Sequence, residues 1–292
     1  MKMDEKLLEG RGREAEREGA AGQPELSAEE HRQVERRSSP RTEVIYEAVR
    51  EEGEGELGRA ASTLAWDGLA AGLSMGFSLV AEGLLRSHLP DTGWRPLVAK
   101  LGYTVGFLII VLGRHQLFTE NTLTAVLPFL QRWNAETFVR LLKVWVVVLA
   151  ANLAGALLFA FVVGRTELFE PHVRETFGEI GREAMRHPWA LTLLKGVFAG
   201  WLIAMMVWML PAAESARFFV VVVMTYLVAL GQFAHIIAGS VETLYVVVTG
   251  GAGWGDYLGW MLPTLAGNIV GGVTLVAALG HAQVAGEAKR KT

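Results

Sequence analysis

After residue 60 the chain returns again and again to uncharged apolar runs about the length of a membrane-crossing helix, roughly 20 residues for a hydrocarbon core of ~30 Å. Such a chain has few folds open to it. Hydrocarbon offers no water to the backbone, so a spanning segment must satisfy its own N–H and C=O groups, as a helix does. The runs lack the strict apolar/polar alternation of barrel strands and read as helices. Six spans are expected, near 61–86, 97–130, 137–163, 189–210, 217–248 and 257–284. The second and fifth are too long for one simple crossing. Each is interrupted by polar and turn-forming residues, Gly113 to Asn121 in one and Gly231 to Glu242 in the other, so both read as broken helices. Trp66, Trp94, Trp133, Trp189, Trp254 and Trp260 fall near the proposed span ends, where an indole favours the interface.

Charge is concentrated ahead of the first span: 16 of the 30 acidic and 11 of the 27 basic residues precede residue 61. Residues 1–58 therefore read as a charged cytoplasmic arm, largely disordered, followed by a transmembrane channel domain at 59–285 and a basic tail at 286–292. Within the arm, Ser27 and Glu30 are spaced as a capping box, and Val44, Ile45 and Val49 are apolar enough to dock on the membrane domain. Met1 to Leu57 holds no apolar signal-peptide core, so the first span is expected to direct insertion. An even number of spans places both termini on one side, read as the cytoplasm of a cell inner-membrane protein. Lys and Arg in the short connections split seven against seven and add nothing to that choice. With a net charge of −3 and no basic face, nucleic acid is excluded as a partner. The absence of cysteine removes thiol chemistry, and the seven histidines lack metal-ligand spacing, so neither a cofactor nor a metal is expected.

The two groups of three spans share residues in register. Gly68 to Gly72 and Gly196 to Gly200 put small residues four apart on one helix face, the arrangement by which helices approach closely in lipid. Asn152 and Gly155 in the third span match Asn268 and Gly271 in the sixth. Thr119 precedes Asn152 by the same interval that separates His235 from Asn268, with Gln116 and Gln232 each three residues earlier. Three spans per copy is odd, so the second copy enters the bilayer from the opposite side: an inverted 3+3 repeat, with helices 2 and 5 broken at the midplane. On this reading Thr119 and His235 stand at equivalent positions and face one pathway.

At these residues the chain resembles the formate/nitrite transporter family. Gln116-Leu117-Phe118-Thr119-Glu120-Asn121 looks like that family's first broken-helix loop. Phe233-Ala234-His235-Ile236-Ile237-Ala238-Gly239 looks like its second, with the family's central histidine, and Val207-Trp208-Met209 and Pro263 to Asn268 add further matches. The resemblance implies an all-α aquaporin-like fold, a homopentamer in the lipid bilayer with one pore per protomer, and passage of small monovalent weak-acid anions. It places His235, Thr119 and Asn268 at the polar centre, Leu117, Phe118 and Phe107 at one constriction, and Tyr103 near the other. Arg182, Arg186 and His187 are the nearest counterparts of the family's vestibular cation. The chain departs from the family pattern at Ala234, Gly239 and Gly200, and it adds Glu120 and Glu242, carboxylates that disfavour a passing anion.

A bare anion is heavily penalised in an apolar constriction and its conjugate acid is not. Histidine titrates near neutrality, so His235 either gives a proton to the anion or stays neutral and donates a hydrogen bond. The expected function is a channel or transporter for small weak-acid anions or their acids. A channel for neutral solutes such as water or glycerol, and a transport-inactive sensor or scaffold, are the alternatives. No enzyme signature is present.

Overall fold

The computed structural model describes residues 27, 29, 30 and 40–277, with side chains to residue 274. The chain divides into two units at Pro40/Arg41. In the first, Ser27 and Glu30 make the reciprocal bonds of a capping box: each Ser27 donor reaches Glu30 Oε2 at 2.8 Å, and the Glu30 N–H returns to Ser27 Oγ at 3.3 Å. The rest of the expected arm before Pro40, and the basic tail at 286–292, lie outside the described residues.

Helix is the only regular secondary structure among the described residues of the second unit. Helix α1 (Thr42–Gly58) is part of it rather than of a mobile arm, because Tyr46, Val49 and Leu57 are buried along one face, while Val44 stays exposed. Its Gly53 lies so close to the Thr124 carbonyl that a Cβ would collide with it. Then come α2 (Ala61–His88), α3 (Arg95–Ala99), a 3-10 turn (Lys100–Tyr103) and α4 (Thr104–Gly113). The short helices α5 (Phe118–Asn121) and α6 (Val126–Arg132) precede α7 (Ala135–Arg165) and the amphipathic α8 (Pro171–Met185). Next are α9 (Trp189–Met209), α10 (Arg217–Leu230), α11 (Ile236–Val248) and α12 (Trp254–Val270), the last continued by a π turn (Gly271–Ala277). The expected sixth span runs past residue 277, beyond the described residues.

Among the described residues, four stretches are long and apolar enough to cross a membrane: Ala61–His88, Arg95–Gly113, Ala135–Arg165 and Trp189–Ala212. Helices α10 and α11 are apolar but shorter. Large side chains such as Phe77, Val146, Phe161 and Phe219 are exposed on these helices, as lipid-facing positions require. Trp66, Trp94, Trp133, Trp189 and Trp254 are also exposed. Trp260 departs from that pattern: it is 4% exposed and faces inward.

Glycine sets the tightest packing. A Cβ on Gly72 of α2 would run into the backbone of Asn152 on α7, and one on Gly200 of α9 would meet the backbone of Asn268 on α12. The reverse faces match. A Cβ on Gly155 would meet Leu69 O and Leu73 N, and one on Gly271 would meet Val197 O and Trp201 N. The small-residue faces thus let α2 and α7, and α9 and α12, approach to backbone contact.

Candidate functional site

Helix α4 ends in a left-handed residue, Arg114 (φ 55°), and the chain re-enters a helix at Phe118. Helix α10 is followed by another, Gln232 (φ 49°), and re-enters at Ile236. Both re-entries are held by an asparagine. Asn152 accepts from Phe118 N at 2.9 Å and donates to Gly68 O (2.8 Å) and Gln116 O (2.9 Å). Asn268 accepts from Ile236 N at 2.9 Å and donates to Gly196 O (2.9 Å) and Ala234 O (2.8 Å). Each amide pairs one N–H and one carbonyl that irregular chain would leave unpaired in a dry interior, and ties them to a carbonyl in the middle of α2 or α9.

These bonds revise two sequence expectations. Asn268 is not part of a polar trio with Thr119 and His235, because its amide is committed to backbone. Nor are Thr119 and His235 equivalent. The residues capping the re-entrant helices are Leu117 (φ −108°, ψ 126°) and His235 (φ −101°, ψ 126°), so His235 corresponds to Leu117. The segment between re-entry and asparagine is two residues longer in the first half, and equal spacing from Thr119 and His235 concealed that difference.

Thr119 and His235 nevertheless meet. Thr119 Oγ1 and His235 Nε2 are 2.8 Å apart, with both residues at most 1% exposed. His235 Nδ1 accepts the N–H of Ala238 at 3.2 Å, capping α11. That bond assigns the tautomer: Nδ1 is the acceptor, so Nε2 carries the hydrogen and donates to Thr119 Oγ1. The Thr119 hydroxyl hydrogen is then without an acceptor among the described residues. Phe107 lies edge-on against the imidazole with centroids 4.9 Å apart, and Tyr103 follows at 5.4 Å from Phe107. Phe118 packs edge-on to Trp145 at 6.0 Å, and Leu117 is fully buried at its cap.

His235 lines a cavity of about 50 Å3 whose wall also includes Tyr103, Lys100, His187, Lys195, Glu242 and Trp260. Of the three cations suggested by the sequence, His187 lines it. Arg186 stands nearby with its guanidinium on Gln232 Oε1 (2.6 Å), and exposed Arg182 lines a neighbouring groove. Lys100 and Lys195 also line the cavity and are not among the expected site residues, since a lysine near a span end carries no sequence mark that separates a cavity wall from a snorkelling side chain. Lys100 is ion-paired with buried Glu82, and Lys195 donates to Gly231 O and Gln232 O, both at 3.1 Å, closing the end of α10. Arg86, one turn from Glu82 on α2, pairs with Glu179 and Glu183 on α8. Beside Thr119, Glu120 keeps Oε1 buried without a partner among the described residues. No group of His, Asp or Glu among the described residues is arranged to hold a metal ion.

Comparison with known proteins gives the family and the fold. Residues 43–282 match the profile of the formate/nitrite transporter family. The chain is 42% identical over 259 residues to the inner membrane protein YfdC of Escherichia coli (strain K12), covering 88% of this chain and 83% of that protein. It is 24% identical to a formate-nitrite transporter of Plasmodium vivax, over 81% of each chain. Among solved structures, a pentameric formate channel with formate bound superposes with a TM-score of 0.66 at 19% identity, covering 77% of this chain and 97% of that one. An FNT family ion channel gives 0.64 at 17%, over 83% and 96%. These two share the fold. This multi-pass membrane protein belongs to the formate/nitrite transporter family, a family of channels and transporters rather than enzymes.

Proposed function

We propose that the chain passes small monovalent weak-acid anions of the formate, nitrite or acetate kind, or their conjugate acids, past the Thr119–His235 pair. Six spans in an inverted 3+3 repeat, with the second and fifth broken at 114–117 and 231–235, would put that pair at the midplane. The matched Asn152 and Asn268 clamps support this topology. A homopentamer with both termini in the cytoplasm completes the reading, the pentamer by analogy with the formate channel of the same fold.

One observation carries the proposal: a histidine whose Nδ1 is spent on a helix cap and whose Nε2–H is spent on a buried threonine hydroxyl. His235 thereby fixes the direction of the threonine O–H, which donates to the oxygen of an acid or anion. Protonating the imidazole would break the cap, so the geometry favours a neutral histidine that polarises Thr119 over one that surrenders its own proton. Phe107, edge-on to the ring, keeps water scarce where the solute must shed charge. A channel for neutral solutes such as glycerol is the second reading, favoured by the carboxylates Glu120 and Glu242.

The test is flux into proteoliposomes of formate, nitrite, acetate and glycerol at pH 5–8, for wild type and His235→Ala. Weak-acid flux that falls at least tenfold in the variant supports the proposal. Equal anion flux in both removes the pair from the pathway, and glycerol uptake without anion flux selects the second reading.

A further inference from the structure

The cavity that His235 lines contains more chemistry than a passage past Thr119 needs. Glu242 lies on α11 seven residues beyond His235, two helical turns or roughly 10 Å along the same face. It is buried, lines the cavity, and makes no hydrogen bond or ion pair among the described residues. Between the two stands Gly239, against which the indole of Trp260 packs so closely that a Cβ there would collide with the ring. Trp260 lines the same cavity, and its Nε1–H is buried without a partner. His187 Nε2, on the same wall, is also unpartnered. A buried indole donor left without an acceptor has a cost, and a ligand oxygen removes it.

The lining thus brings together a carboxyl group and an indole whose N–H still lacks an acceptor among the described residues. That combination suits a ligand with two oxygens and one shareable proton. We propose that it is a recognition site for a small monocarboxylic acid. One ligand oxygen accepts from Trp260 Nε1–H, and the other faces Glu242 through a single shared proton. This inference rests on the weak-acid reading above and adds what that reading lacks, a source for the proton. His235 cannot supply one while its Nδ1 caps α11 and its Nε2–H holds Thr119. The anion entering beside protonated Glu242 and the acid entering beside ionised Glu242 give the same complex. On passage toward Thr119, the Glu242 O–H bond breaks and the ligand O–H bond forms. The ligand leaves as the neutral acid, and Glu242, left as a carboxylate, takes its next proton from the aqueous end of the cavity.

The charged and titratable groups around Glu242 fit this role. Glu82 approaches from α2 with Lys100 as its ion-pair partner, Tyr103 adjoins Lys100, and Glu183 and His187 come from the end of α8 and the turn after it. Lys195 lies on α9, and Tyr257 of α12 is bonded to Ser240 at 3.1 Å. Helix α7, packed along α11, contributes nothing to the lining. Lys100 supplies a positive charge to whichever carboxylate is ionised, while Glu82 and Glu183 oppose two negative charges at once, so the site binds anion and proton together.

The experiment uses the full-length protein in proteoliposomes, with formate as the probe and a pH-sensitive dye in the lumen, over pH 5–8. Wild type is expected to move one proton with each formate. Glu242→Gln is expected to lose at least tenfold in flux and to show a flattened pH profile. Trp260→Phe is expected to raise the half-saturating formate concentration at least fivefold with a smaller change in maximal flux. Formate flux in wild type without accompanying protons overturns the inference, and that measurement needs no variant to fold. A wild-type pH profile in Glu242→Gln that is recovered as a normal oligomer overturns it equally. Either result leaves weak-acid transport standing, whereas wild type that moves no formate at any pH removes both.

Discussion

Thr119 Oγ1 and His235 Nε2, 116 residues apart in sequence, meet at 2.8 Å inside a protein interior where neither side chain has appreciable contact with solvent. Thr119→Val keeps the shape and removes the acceptor, leaving the imidazole N–H buried and unpaired at a cost of about 1–3 kcal/mol. Weak-acid flux in proteoliposomes should drop at least tenfold, with a lowered unfolding temperature in detergent. Thr119→Ser restores the hydroxyl and should recover most of both. A valine variant that transports normally would show that the hydroxyl is structural.

The asparagine clamps should behave as a pair. Asn152→Ala and Asn268→Ala each delete three bonds, orphan one N–H and one carbonyl at a helix re-entry, and remove a tie to a carbonyl of α2 or α9. Losses of about 2–4 kcal/mol are expected from each, read as similar drops in thermal stability. Aspartate at either position keeps the acceptor, loses both donors and should fall between. A large effect at one asparagine and none at the other would break the correspondence between the two re-entries.

How the sequence relates to this site follows from the same residues. Helix positions and the small-residue faces were legible, because 20-residue apolar runs and glycines four apart have few physical meanings in lipid. The role of Asn268 was not, since an asparagine that holds backbone and one that holds a solute look alike until its partners are seen. The equivalence of Thr119 with His235 rested on an equal interval to Asn152 and Asn268, and two extra residues between Leu117 and Asn152 defeated it. Trp260 was read as an interfacial anchor by its place near a span end. Only the absent side chain at Gly239 makes room for it inside, a complementarity that spans 21 residues of sequence and leaves no periodic mark.

The glycine contacts give a prediction with its own control. At Gly72 and Gly200 an added Cβ meets the backbone of Asn152 and Asn268, which cannot swing aside as a flexible side chain would. Gly72→Ala and Gly200→Ala should each destabilise the protein by about 1–3 kcal/mol through overpacking, against any gain in helix propensity. Gly259 on α12 has nothing within 4 Å of the same position and is exposed, so Gly259→Ala should be neutral or mildly stabilising. Thermal unfolding of the three variants side by side tests the packing. Equal behaviour of all three would mean that α2–α7 and α9–α12 are not in backbone contact.

Glu56 near the end of α1, outside the membrane spans, gives the docking of that helix a pH dependence of definite sign. Its carboxyl is buried and accepts from Thr124 Oγ1 at 2.6 Å. Gln116 Nε2 reaches its Oε1 only at 3.5 Å. Burial pushes the group up to about 7, against an ordinary 4.5, and the Thr124 bond offsets this only in part. A carboxyl raised in the docked state holds its proton more tightly there than when α1 is free. Docking is therefore strongest below pH 4.5, weakens as pH rises from 4.5 toward 7 by up to about 1.4 kcal/mol per unit, and levels off above 7 with roughly 3 kcal/mol lost. Hydrogen exchange of the α1 amides, corrected for the intrinsic rate, should show protection falling over that window. Glu56→Gln keeps an acceptor for Thr124 without the ionisation, so its protection should stay high and flat to pH 8. Protection that instead grows with pH in the wild type would mean that the docked carboxyl is held ionised, and that its hydrogen bonds outweigh its burial.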